Sequence, residues 1–116
     1  MISKLLSVLA ALHPDIPVYG DDITEEERRT ARTFFIYRDP HLYTKSAEGR
    51  GLYRDFHLFF LTMENKEIDI GELIAEIESK TTLRLKSTDE DFGKMEETDQ
   101  TALMVSLYFR RMVRKC

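Results

Sequence analysis

The sequence has little cysteine: one residue, Cys116, at its last position. A single thiol closes no internal disulfide, which points to folding in a reducing compartment. A terminal thiol without structured surroundings is also a poor nucleophile. No stretch approaches the roughly 18–20 apolar residues that a membrane-spanning helix needs. No internal repeat, low-complexity tract or linker marks off a second domain. The 116 residues therefore predict one domain, 1–116. With 42% hydrophobic and 33% charged residues, the composition is that of an ordinary globular chain with a modest core.

A catalytic constellation is missing too. His13, His41 and His57 have no second histidine or cysteine at metal-ligand spacing. His57 lies two residues from Asp55 and so on the same face of a strand, where a His–carboxylate contact is possible. Such a histidine is more often a satisfied surface or core residue. "AEGRG" offers Gly49 and Gly51, but a phosphate cradle needs a strand before the glycines and a helix after them. "DEDFGKMEE" fails the calcium-loop spacing from the third position and has no flanking helices. The expectation is a protein that is no enzyme and holds no metal or cofactor.

What is present is charge, unevenly spread. The net charge is −4. Residues 28–54 carry seven basic and two acidic side chains, while 64–99 carry five basic and twelve acidic. Such segregation can give one basic and one acidic side, able to meet a second copy head to tail. It can equally cancel locally when the chain folds. Arg28, Arg29, Arg32, Arg38, Lys45, Arg50 and Arg54 are interleaved with Phe and Tyr, a pattern that can grip single-stranded nucleic acid. The acidic overall balance and the lack of a nucleic-acid module stand against that use.

The elements follow from periodicity. Ile2, Leu5, Leu6 and Leu9 recur at helical spacing and predict a helix over 2–12, ended by His13-Pro14. It reads as part of the mature fold, with a signal peptide as the lesser alternative because no small-residue cleavage site follows. Ile16, Val18 and Tyr19 give a short extended piece, and Glu25 to Glu27 read as solvated linker. "ARTFFIYR" (31–38) and "LYRDFHLFFLTM" (52–63) predict two antiparallel strands, the second apolar on both faces toward its end. Asp69 caps a second helix, with Glu72 three residues on and Ile70, Leu73, Ile74 and Ile77 as its apolar stripe. "TTLRLK" (81–86) is a further strand, 87–99 an acidic loop, and 101–113 a last strand with Leu103, Val105, Leu107 and Phe109 inward. This is an α+β domain: a mainly antiparallel sheet of four to five strands, two helices packed on one face, and an extended hairpin arm at 39–51. The arm is too polar for a core and too long for a tight turn, and it is expected to stay loose until a neighbour orders it.

The order of segments carries a resemblance across nearly the whole chain. An amphipathic helix runs into "PDIPVYGDDI". The strand "TFFIYR", an arm and "YRDFHLFFLTM" come next. A helix of the "ELIAEIES" kind and a late "ALMVSLYFR" strand close the series. The chain resembles the tail terminator (tail completion) proteins of long-tailed bacteriophages and phage-like particles. That resemblance implies a structural virion protein, assembled in the bacterial cytoplasm and located at the head-proximal end of the tail. It implies a homo-oligomeric ring, hexameric in this family, capping the tail tube and meeting head-completion or connector proteins. A sheath is a further partner in contractile tails, and DNA passes the lumen without sequence-specific binding. The family defines no catalytic residues. Interface candidates read from this chain are Arg38, His41, Tyr43, Lys45, Arg50 and Arg54 around the arm. Asp89 and Asp91 on the acidic stretch, facing lumen or tube, and Arg110 and Arg111 near the end complete the set. The alternatives are another head–tail connector or stopper subunit, and a small nucleic-acid-binding regulatory domain.

Overall fold

The computed structural model describes residues 2–20, 32–45, 51–94 and 101–115. The order is α1 (Ile2–Leu12), β1 (Val18–Tyr19), β2 (Thr33–Arg38), β3 (Tyr43–Lys45), β4 (Gly51–Thr62), α2 (Ile70–Lys80), β5 (Arg84–Lys94) and β6 (Thr101–Lys115). The strands make one six-stranded sheet in the order β1-β2-β4-β6-β5, with β3 on the same edge of β4 as β2. Only the short β1–β2 pairing is parallel. The architecture is α+β with a mostly antiparallel sheet, as the sequence predicts, with six strands rather than four or five.

The central strand β4 explains how the core is placed. It pairs with β6 along its whole length and with β2 over 57–62. Side chains alternate across a strand, so Phe56, Leu58 and Phe60 point to one face together with Phe35, Val105, Leu107 and Phe109. Leu5, Val8 and Leu9 of α1 and Leu73 and Ile77 of α2 cover that face and are buried with them. Both helices therefore lie on one side of the sheet. Burying one such side chain contributes about 1.5–3 kcal/mol.

The opposite face is less closed. Phe34 is buried there, with Tyr19 edge-on to its ring at 5.8 Å. Ile36, Phe59, Leu61 and Met104 are half-buried. The apolar second face of the 52–63 strand predicted full cover on both sides, and the structure provides full cover only on the helix side.

Local chemistry sets the element ends. Asp69 has an extended backbone and accepts the Glu72 N–H at 3.0 Å, the capping bond predicted for α2. At the other end the Thr81 N–H donates to the Ile77 carbonyl at 2.9 Å, and the Thr81 hydroxyl donates to it at 2.7 Å. The Leu85 N–H then donates to a Glu78 carboxylate oxygen at 3.1 Å, tying β5 to the helix before it.

The largest correction concerns 87–99. The sequence reads it as an acidic loop, yet β5 continues through it to Lys94, paired with β6 at every described position but Lys86. Beyond Leu85, which packs against the core, the backbone ladder holds this strand without help from burial. Residues 86–93 are exposed one after another, so no period-two hydrophobic signal exists to reveal the strand. The Glu25–Glu27 linker lies outside the described residues.

Candidate functional site

Arg54 on β4 is the centre of the clearest polar constellation. The β3 pairing places Tyr43 directly across from Arg54, and Lys45 across from Leu52. The Arg54 guanidinium donates to Asp39 through Nη2 at 2.5 Å and Nε at 3.3 Å. It also donates to the Tyr43 hydroxyl at 3.2 Å, and its Nη2 lies 2.8 Å from His41 Nδ1. The fork of an arginine suits a two-point contact with a carboxylate. His41 takes a positive φ of 56°, a conformation in which histidine is enriched, and its N–H donates to Asp39 at 2.9 Å.

Burial works against ionisation of Asp39, but the His41 N–H and Arg54 together outweigh it and hold the carboxyl below its usual range. The hydrogen bond to Asp39 raises Arg54 in turn. The base of the arm is therefore folded. The Asp55 N–H also donates to the Leu42 carbonyl at 3.0 Å. The expectation of an arm that stays loose along 39–51 is corrected for 39–45, which Arg54 and β4 hold in place. Arg50 and residues 46–49 lie outside the described residues.

A second group lies on the other face of the same end. The Arg110 guanidinium stacks over the Tyr53 ring at 4.3 Å. Asp55 is in register with Arg110, but its charged neighbour is Lys86, with Nζ 3.8 Å from Oδ2. The register shift between Leu85 and Ser87 leaves Lys86 without a partner on β6, which is how this bulge re-aims it. Oδ1 of Asp55 is buried with no hydrogen-bond partner among the described residues. His57 is not bonded to Asp55. Its ring packs edge-on against Tyr108 at 4.8 Å and Phe59 at 6.0 Å. Burial lowers the His57 pKa, with Asp55 pulling it up and Arg38 and Lys86 pushing it down. The His57–carboxylate contact considered from the sequence is thus replaced by a Lys–carboxylate contact and an aromatic stack.

Nine of the ten interface candidates are among the described residues, and they fall in two places. Arg38 ends β2 in register with His57; His41, Tyr43, Lys45 and Arg54 surround the arm base; Arg110 and half-buried Arg111 lie beside them on β6, with Arg111 in register with Arg54. Asp89 and Asp91 sit on β5, exposed, with β4 and β6 between them and β3. Asp39, Tyr53, Glu90 and Phe92 belong to these margins and were not among the candidates. Phe92 is 64% exposed and Tyr43 55%. No signal in the sequence separates an outward phenylalanine from a core one.

Among the described residues, no three His, Cys, Asp or Glu side chains group as a metal site. No helix there is long and apolar enough to cross a membrane. The chain matches no family model, and no curated protein matches it.

Proposed function

We propose that this chain is a structural ring subunit that caps the head-proximal end of a phage tail tube, ends tube growth and offers the surface for head–tail joining. The reading rests on the resemblance of the segment order, and one observation in the fold carries it further. Two exposed strands of different character lie on opposite sides of the central β4–β6 pair: β3 beside β4, off the β1–β2 end of the sheet, and the edge strand β5, which carries the acidic run Asp89–Asp91. A subunit of a closed ring needs two different, mutually compatible sides. In this reading the chain has no enzymatic role, its partners are its own copies, the tube protein and the head-side connector, and DNA is only a passenger. Use of the basic residues around the arm for nucleic acid is less well supported, since Arg54 is held by Asp39.

The test is to disrupt the gene in the element that encodes it and image the particles. Overlong tubes and tailless heads are the expected outcome. Tubes of normal length joined to heads would remove the proposal.

A further inference from the structure

We infer that the β3 edge of one copy adds to the β5 edge of the next in an antiparallel pairing, with Lys45 across from Glu90, Thr44 across from Asp91 and Tyr43 across from Phe92. This rests on the ring reading and specifies its contact.

Each strand has an edge that no other described strand uses. β5 pairs only with β6, and β3 only with β4. Both strands are exposed on both faces, β3 at all three residues and β5 from Lys86 to Gly93. The eleven-residue edge of β5 is long enough to take another strand, and opposite charges across the two strands favour one partner over another.

Asp89, Glu90 and Asp91 put acid on both faces of β5 in succession. Two β5 edges brought together at that segment would set acids beside acids, which is unfavourable. The complementary edge is β3, whose charged residue is Lys45. The strand with which β5 pairs is thus different from itself, and such a contact propagates around a ring instead of closing a dimer.

Polarity and facing then agree without adjustment. β3 is antiparallel to β4, β4 to β6, and β6 to β5. So β5 runs opposite to β3 within one copy. Rotation about an axis along the strands preserves that direction in the next copy, so the new β5–β3 contact is antiparallel. The helix-covered face also stays the same face throughout.

On that face β3 carries Tyr43 and Lys45, in register with Arg54 and Leu52. On the same face β5 carries Glu90 and Phe92, in register with Val105 and Leu103. Setting Lys45 opposite Glu90 in an antiparallel pair brings Tyr43 opposite Phe92. One register therefore makes an ion pair and covers two of the most exposed aromatic rings described. Cross-strand pairs of both kinds stabilise a sheet.

The test uses the full chain with Cys116→Ser as background. Thr44→Cys and Asp91→Cys are made in separate proteins, concentrated and treated with a short bismaleimide. The mixture should form covalent heterodimers at least tenfold faster than either protein alone. Equal rates, or no cross-link at all, would overturn the pairing. Lys45→Glu and Glu90→Lys should each weaken self-association at least tenfold by sedimentation, and the double variant should recover it. No recovery counts against the pairing. Capping without the cross-link would remove this contact and leave the ring, whereas the cross-link without any effect on tube length would keep the contact and remove the role.

Discussion

β4 and β5 are strands of nearly equal length, twelve and eleven residues, built on opposite terms. β4 has neighbours on both edges and two helices on one face, and from Phe56 on its side chains alternate between buried and half-buried. Among the described strands β5 has one neighbour, and eight of its residues in succession are exposed. The first is held by what its side chains displace from water, the second by its backbone ladder with β6. Stability belongs to β4 and its cover, which leaves the surface of β5 free for recognition.

The sharpest way to break that contrast is to truncate one phenylalanine in each strand. Phe60→Ala opens a cavity against Phe35, whose ring lies 5.3 Å away, and should cost about 3–5 kcal/mol in urea unfolding. Phe92→Ala touches an exposed ring and should stay within about 0.5 kcal/mol of the parent. Similar losses at both positions would mean that β5 contributes to the core after all. The helix cover can be loosened more gently. Asp69→Ala removes the acceptor for the Glu72 N–H and should cost about 1 kcal/mol, seen in the same unfolding midpoint.

The same contrast decides what could be read in advance. Wherever one face is buried, the pattern was legible: the helix over 2–12, the Asp69 cap, the antiparallel 31–38 and 52–63 strands, and the inward Val105, Leu107 and Phe109 all stand in the fold. β5 beyond Leu85 was not legible, because a strand wet on both faces has no period. β3 was missed for a related reason: three residues, all exposed, make strand structure only against β4. The candidate site inherited this limit. Arg54 and Tyr43 could be named as surface residues, but their meeting depends on a register that no local pattern encodes.

His57 gives a smaller, pH-dependent effect on the half-covered face. Its folded pKa lies below the ordinary 6.5, chiefly because burial disfavours the imidazolium. Above 6.5 both the folded and the unfolded chain hold it neutral, and it makes no difference. As the pH falls below 6.5 the unfolded chain takes the proton first, so stability drops until the folded pKa is also passed. Thermal unfolding of His57→Phe should therefore lose less stability than the parent between neutral pH and the folded pKa. Parallel curves for the two proteins would show that the ring titrates freely in the folded state.

The smallest global effect, and the most local one, should come from Arg54→Lys. Lysine keeps the charge but loses the planar fork, so the two-point contact with Asp39 and the reach to Tyr43 and His41 cannot all persist. β3 would then be left with three residues of ladder, no burial and a weakened clasp. A segment of that kind opens on its own, far below the free energy of global unfolding. The reporter is the Asp55 amide, which donates to the Leu42 carbonyl and exchanges only when the arm base lifts away. Its hydrogen exchange should quicken severalfold while the amides of Leu58 and Phe60 stay protected and the unfolding midpoint barely moves. Faster exchange at all three amides would mean that Arg54 supports the whole sheet, and the division between a buried centre and a clasped margin would have to be given up.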